Sequence, residues 1–407
     1  MSATAAQGKK VAPEIIILAA CCISMLTFGP RGSSGNFQLP IMSAYGWGSD
    51  TFSFALAIQN LLWGLGQPFA GALADRFGSV RVLSGGALLY AAGCALMAFA
   101  DTPVTFTLTA GVLIGFGLSG CAMSLVVGAL AKLLPDSKRS MGFGLVTAAG
   151  SFGQFLFSPL SGAMIQNVGW QETTIFFALV MLLILPLSLF VASAPIRKDS
   201  ANQQSLGEAL REAFAHRSYV LLVLGFFTCG FQLAFITVHF QKYVVEAGLS
   251  PQVGYWAFAL VGLFNIMGSL GSGWLATRMP RRYILSFIYF SRSLVTLAFI
   301  LLPPSSMSAY LFGALSGLLW LSTVPPTSGL IGQMFGTQHF AMLYGFAFFS
   351  HQVGGFLGVL LGGVLREQTG SYGIVWGLSI ALGVASALIN LPIVEKPVVR
   401  KASAAAA

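Results

Sequence analysis

Charged residues are scarce in this sequence: Asp, Glu, Lys and Arg together make up 8% of its 407 residues. A soluble domain carries about 25% charged residues and uses them to cover its surface. Apolar residues reach 56% instead, and the mean hydropathy is +0.81. The shortage of charge therefore excludes a water-soluble globular protein and indicates a chain embedded in lipid.

Cysteine is also sparse, and none of it is spaced for a metal. The five cysteines all fall inside apolar runs and are interpreted as small buried hydrophobes: Cys21, Cys22, Cys94, Cys121 and Cys229. A nucleophile–base pair, a phosphate-binding loop, an attached soluble domain and a cleavable signal are likewise lacking. We therefore expect neither an enzyme nor a bound cofactor or metal.

Twelve apolar runs are long enough to cross a bilayer, which takes about 20 residues. They lie near 14–44, 51–74, 79–100, 104–132, 140–167, 171–194, 218–245, 252–277, 283–303, 308–335, 340–365 and 372–394. We number them spans one to twelve. The polar stretch after span six predicts two halves, 1–194 and 218–407, joined by a linker at 195–217. The sequence thus predicts an all-α membrane protein with twelve transmembrane helices.

Basic residues orient these spans, because cytoplasmic loops are enriched in Lys and Arg. If the N-terminus is cytoplasmic, seventeen of the 21 basic residues lie inside, including the clusters at 9–10, 138–139 and 278–282. Lys242 and Arg366 then lie outside, and Arg31 and Arg292 lie within spans. Both termini and the linker are therefore predicted to be cytoplasmic. The net charge of +9 reflects these short clusters and does not indicate a nucleic-acid partner.

An internal repeat relates the two halves. The loop after span two, Gly71-Ala-Leu-Ala-Asp75-Arg76-Phe-Gly-Ser-Val-Arg81, recurs after span eight as Gly273-Trp-Leu-Ala-Thr-Arg278, shifted by 202 positions. Glycines allow two helix ends to approach, and Asp75 can cap a neighbouring helix or pair with an arginine. We predict a gate made of Gly71, Asp75, Arg76, Arg81 and Arg278; an ordinary polar loop is the alternative. A duplication of this kind places a substrate site near the bilayer midplane between the halves.

The first loop resembles the signature of the major facilitator superfamily, Gly-x-Leu-Ala-Asp-Arg-x-Gly-Arg-Lys, with Ser79 and Val80 in place of the basic pair. The resemblance in span count, linker and repeat covers the whole chain. It implies two pseudo-symmetric six-helix bundles that work by alternating access.

Ionisable groups inside the membrane are costly and functional by default. No Asp or Glu lies in the middle of a span, whereas Arg31, Arg292 and His351 do, with His239 nearer an outer end. A cavity with cations and no carboxylates suits an anionic substrate. His351 is predicted to carry a proton or bind substrate, with His239 as a second proton carrier; a neutral His351 bonded to a carbonyl is the alternative.

Arg31 is the strongest candidate for binding the substrate. It follows Gly29-Pro30, which loosens the helix, and it shares a helical face with Ser24, Thr27, Ser34 and Gln38. Such a stripe cannot face lipid, so we expect Arg31 to face the cavity and bind substrate. A structural arginine bonded to backbone carbonyls is the alternative.

Further polar side chains are candidates for substrate contact, although each could instead join helices. They are Gln154 on span five, Gln232 on span seven, Asn265 on span eight, Arg292 on span nine and Trp320 on span ten. Arg292 could equally brace the bundle, because span nine is peripheral in the fold that the resemblance implies.

Pro30-Arg31 is similar to the Pro-Lys pair in span one of monocarboxylate porters. The stretches Cys229-Gly-Phe-Gln, Trp320-Leu-Ser-Thr-Val-Pro-Pro-Thr and Ser350-His351-Gln352 resemble their bacterial branch, which includes oxalate–formate antiporters. The resemblance implies a small organic carboxylate moved with a proton. Asn265 stands where the animal porters have an Asp-Arg pair, so their coupling carboxylate is missing. Gly111 replaces the span-four arginine of drug–proton antiporters.

These observations favour a secondary transporter of a small organic anion, most consistent with a monocarboxylate and with proton coupling. We expect a monomer in a bacterial inner membrane. The competing interpretations are a drug or organic-compound efflux antiporter of the same superfamily, and a membrane enzyme or sensor.

Overall fold

A computed structural model describes residues 12–193, 206–336 and 339–398. Nearly all of this part of the chain is helical, and no strand occurs in it. Lipid enforces this outcome, because a helix satisfies its own backbone N–H and C=O groups where water is absent. The predicted all-α architecture is confirmed.

The first half contains spans one to six, several of them broken into consecutive helices. The bounds are Pro13–Gly32, Ser34–Phe37 and Gln38–Tyr45 for span one; Ser49–Phe77 for span two; Ser79–Met97 for span three; Pro103–Phe106, Thr107–Leu113, Ile114–Gly120 and Met123–Leu133 for span four; Asp136–Val168 for span five; and Trp170–Leu182, Ile184–Ser188 and Leu189–Val191 for span six.

The second half repeats this order. After a short helix at Leu206–Ala215, the bounds are Arg217–Glu246 for span seven, Pro251–Leu275 for span eight, Arg281–Leu301 for span nine, Ser306–Leu319 and Val324–Phe335 for span ten, Phe340–Thr369 for span eleven, and Gly373–Asn390 for span twelve. Residues 195–205 of the predicted linker, with its basic residues Arg197 and Lys198, lie outside the described residues, as do Lys9, Lys10, Arg400 and Lys401.

Eleven helices in the described ranges are long and apolar enough to cross a membrane. Span two is the twelfth: it has 29 residues, but Gln59, Asn60 and Gln67 lower the hydropathy of its middle. The twelve-helix arrangement predicted from sequence is confirmed. The cytoplasmic location of the termini stays a prediction.

Two clusters of buried hydrophobic side chains hold the structure together. One is built by spans one to six, with three additions from spans seven and eleven: Ala234, Val238 and Val359. The other lies wholly within 213–393. Each set of six spans thus has its own core, as the internal repeat predicts, while the exact domain boundaries stay a prediction.

The halves meet along two helix pairs. Span two packs on span eleven, where the rings of Trp63 and Phe348 lie 5.5 Å apart. Span five packs on span eight, where the Asn265 amide donates to Ser151 Oγ at 2.8 Å. Buried polar bonds of this kind join membrane helices because lipid offers no competing partner.

The end of the bundle that holds Tyr45, Ser49, Glu246 and Thr369, here called the far end, is closed. Lys242 on span seven bonds to Ser49 Oγ at the start of span two. Glu367 on span eleven accepts from the Ser49 backbone N–H at 3.0 Å, which supplies a partner to a free helix N-terminus. Polar contacts between the halves therefore seal the end that sequence predicts to be outside.

Candidate substrate site

Arg31 lies at the end of the first helix of span one. Pro30 sits inside that helix, which stops at Gly32 before a short 3-10 turn at Ser34–Phe37. This turn brings Ser34 back toward the guanidinium, where Ser34 Oγ accepts from Arg31 Nη1 at 3.0 Å. The helix expected to loosen at Gly29-Pro30 therefore does so just after these residues, where it ends at Gly32.

The Arg31 guanidinium is buried, with 7% of the residue exposed. Its second partner is Asn60 on span two, whose Oδ1 accepts from Nη2 at 2.9 Å. Both partners are neutral side chains, and Arg31 Nε is buried with no hydrogen-bond partner among the described residues. A guanidinium that keeps a free donor and has no counter-charge beside it can bind an anion, which would offset part of its lost hydration.

Asn60 was missed by the sequence analysis. It orients Arg31 through Oδ1 while its amide nitrogen donates to the Leu56 carbonyl at 2.8 Å. A Cβ placed on Gly355 of span eleven would lie 3.5 Å from Asn60 Cγ, so this group lies where the halves meet. The signal was available: Gln59-Asn60 puts adjacent amides in the middle of the least apolar span.

Gln154 lies beside this group. It packs on Gly32, the residue after Arg31, and also on Gly262 of span eight. Its side-chain oxygen is buried without a hydrogen-bond partner. Gln154 thus packs against the helix that carries Arg31 and against span eight, where the halves meet.

Arg292 and Gln232 form a separate group in the second half. Arg292 donates to the Leu319 carbonyl from Nε at 3.0 Å and from Nη2 at 2.5 Å, and also to the Trp320 carbonyl. Its Nη1 donates to Gln232 Oε1 at 3.4 Å. These carbonyls are free because span ten breaks between Leu319 and Val324 ahead of Pro325-Pro326. This geometry favours the bracing interpretation of Arg292.

Asn265 on span eight also bonds to the backbone at the break in span ten. Its Oδ1 accepts from the Leu321 backbone N–H at 2.9 Å and from Ser269 at 3.1 Å, and its amide donates to Ser151. Trp320 is buried, with its ring edge-on to Phe258. The polar atoms of Asn265 are therefore already occupied by protein groups, whereas Arg31 Nε and Gln154 Oε1 have no hydrogen-bond partner among the described residues.

The two predicted proton carriers differ in environment. His239 is fully buried; Nε2 lies 3.0 Å from the Val359 carbonyl and Nδ1 lies 3.3 Å from the Tyr372 hydroxyl. Since a carbonyl only accepts, Nε2 carries the proton and Nδ1 accepts, which satisfies the neutral ring. His351 is half-buried between Phe226 and Phe348, and its Nδ1 has no partner.

The predicted gate residues lie at the end opposite the far end. Asp75 pairs at 2.9 Å with Lys132 of span four, a lysine where we expected an arginine or a helix N-terminus. Arg76 and Arg278 lie over the rings of Phe77 and Trp274, at 5.1 and 3.9 Å. Gly71 has open space around it, and Arg81 is exposed.

The loop between spans two and three also explains one signature glycine. Gly78 has φ of +87°, in the left-handed region that L side chains rarely adopt. Its N–H bonds back to the Ala74 carbonyl at 2.9 Å and ends span two directly before span three begins. The signature thus encodes a sharp turn between two antiparallel helices.

Comparisons with known proteins agree with this architecture. The chain is 29% identical over 379 residues to the uncharacterized MFS-type transporter YcxA of Bacillus subtilis (strain 168), covering 90% of this chain and 91% of that protein. It is 24% identical over 390 residues to monocarboxylate transporter 13 of Rattus norvegicus, covering 93% and 88%.

Solved structures show the same fold at low sequence identity. A D-xylose-proton symporter matches with a TM-score of 0.74 at 13% identity, covering 95% of this chain and 99% of that one. A bacterial homologue of the human lysosomal transporter Spinster, in an inward-facing and unoccupied conformation, matches with a TM-score of 0.67 at 15% identity, covering 94% and 96%. The family model described as Major Facilitator Superfamily matches residues 16–359. The chain therefore belongs to that superfamily of membrane transporters.

Proposed function

We propose that this transporter moves a small monocarboxylate by alternating access and that a proton accompanies it. The observation that carries the proposal is Arg31, a buried guanidinium with neutral partners and an unpartnered Nε. A carboxylate supplies the missing negative charge and accepts two parallel hydrogen bonds from one guanidinium.

The number of available cations favours one carboxylate rather than two. Arg31 is open to an anion, whereas the Arg292 donors are taken by the Leu319 and Trp320 carbonyls and by Gln232. A dicarboxylate would bury its second charge without a partner, which is costly. The similarity to monocarboxylate transporter 13 supports the same substrate class.

Counterflow in proteoliposomes tests the proposal. Vesicles loaded with excess unlabelled lactate should transiently accumulate labelled lactate, because exchange needs no net driving force. Protonated acids also cross bilayers unaided, so protein-free vesicles and vesicles with Arg31→Gln protein are measured at the same pH. Accumulation of lipophilic organic cations, with none of any short-chain carboxylate, would overturn the proposal in favour of a drug antiporter.

Proton coupling is proposed to run through His351. Histidine is the side chain that changes charge near neutral pH, and the free Nδ1 of His351 contrasts with the two occupied nitrogens of His239. His351→Gln should flatten the pH dependence of lactate uptake while leaving exchange measurable. His239→Gln is the matched control and should keep the wild-type pH profile. A wild-type profile in His351→Gln would assign the proton to another carrier, including the substrate itself.

A further inference from the structure

A cavity lies beside Arg31, and all of its lining residues belong to the first half. Its volume is about 40 Å³, and spans one, two, three, four and six contribute its fifteen lining residues. A single water needs about 10–15 Å³ measured in this way, so the cavity has room for about three atoms of that size. Nothing in the sequence pattern predicts it.

Polar and apolar side chains both line the cavity, and Gln59, Tyr90 and Thr174 are among the polar ones. Arg31 is the one charged residue among those lining the cavity, with Ser34 beside it. Much of the remaining wall is apolar and aromatic, contributed by Phe52, Phe106, Phe177 and other buried side chains. Wall atoms around an empty space lack van der Waals partners, and cores close-pack wherever side chains allow. This space therefore suits the apolar end of a molecule whose charged end meets Arg31.

We propose that the cavity is a tail pocket: the carboxylate binds Arg31, and a straight apolar tail of about three carbons enters the space lined by Phe52, Phe106 and Phe177. The inference rests on the proposed function, because it assumes a carboxylate at Arg31. It goes further by assigning selectivity for tail length to residues of the first half alone. Formate and acetate are then poor ligands, and butyrate is a good one.

Calorimetric titration of the purified protein with formate, acetate, propionate, butyrate and hexanoate tests the pocket. Each buried methylene contributes about 0.8 kcal/mol, which corresponds to about fourfold in affinity. Affinity should therefore rise about fourfold per carbon from acetate to butyrate and fall at hexanoate. Equal affinities along the series would overturn the tail pocket.

Two substitutions in span four change the size of the cavity in opposite directions. Ala110 lines it and is 1% exposed, so Ala110→Leu fills it with three carbon atoms. Butyrate affinity should fall at least tenfold, with acetate within twofold of wild type. Ile114→Ala removes three carbons from the wall and should shift the optimum toward hexanoate. A shift to longer acids cannot arise from misfolding, so it remains decisive if Ala110→Leu is unstable.

A control variant is available, and failure of the pocket can be told apart from failure of the proposed function. Ala163→Leu makes the same change on an exposed face of span five and should leave the whole series unchanged. If no carboxylate binds to wild-type protein, the proposed function fails together with the pocket. If carboxylates bind through Arg31 but Ala110→Leu and Ile114→Ala leave the order of affinities unchanged, only the pocket fails, and the tail lies in the space between the halves.

Discussion

Purified Arg31→Gln protein is expected to bind short-chain carboxylates at least about 100-fold more weakly than wild type. Two hydrogen bonds from a charged donor contribute about 1.5–3 kcal/mol each. Glutamine supplies neither the positive charge nor the two parallel N–H donors of a guanidinium. Arg31→Lys should retain binding with about a tenfold loss, because an ammonium acts as a point charge. Titration of monodisperse protein in detergent gives these affinities directly.

The same substitution has a second signature, which separates a ligand from a structural arginine. In the absence of substrate, Arg31 is a buried cation whose hydrogen-bond partners among the described residues are Ser34 and Asn60. Removing this cation relieves its desolvation cost, which offsets the loss of its two hydrogen bonds to Ser34 and Asn60. The thermal midpoint of substrate-free Arg31→Gln protein should therefore equal or exceed that of wild type.

Asn60→Asp provides a matched variant, since it changes one atom and keeps the shape of the side chain. Its carboxylate would lie against Arg31 Nη2, where Asn60 Oδ1 now accepts at 2.9 Å. We expect it to act as a built-in anion that raises the thermal midpoint and displaces the substrate. Wild-type carboxylate affinity in both Arg31→Gln and Asn60→Asp would refute the assignment and leave Arg31 a structural residue.

The fold could be predicted almost completely because the membrane limits the choices. Span length and the repeat at 71–81 and 273–278 were sufficient, whereas the orientation that the basic loops indicate stays a prediction. Span ten shows the limit of this reasoning. Pro325-Pro326 disfavours a continuous helix in span ten, but the group that satisfies the carbonyls freed at the break is Arg292, located 27 residues before Leu319 on another helix.

The site was predicted only in part, because sequence periodicity reveals the face of one helix and not what lies opposite it. Arg31 was found as a charge on a polar stripe, whereas Asn60 and the cavity depend on how spans one, two and three pack. The far-end contacts are similar. The count of basic residues placed Lys242 outside, but only the three-dimensional structure places Lys242 and Glu367 against Ser49.

Arg292 is expected to show the opposite behaviour to Arg31. Arg292→Leu leaves the Leu319 and Trp320 carbonyls without donors at the break in span ten. Each buried acceptor left unpaired costs about 1–3 kcal/mol. The thermal midpoint of substrate-free protein should therefore fall by roughly 5–10 °C. Arg217→Leu, an exposed arginine at the start of span seven, is the control and should leave the midpoint unchanged.

Carboxylate affinity completes the comparison between the two arginines. Butyrate titrated into the folded fraction of Arg292→Leu protein should bind within about threefold of wild type, because the Arg292 donors face backbone carbonyls rather than an open space. Loss of affinity with an unchanged midpoint would instead make Arg292 a substrate ligand. Two free cations would then face the substrate path, and a dicarboxylate would become the better substrate. The pair of variants thus decides between one and two anionic groups on the transported molecule.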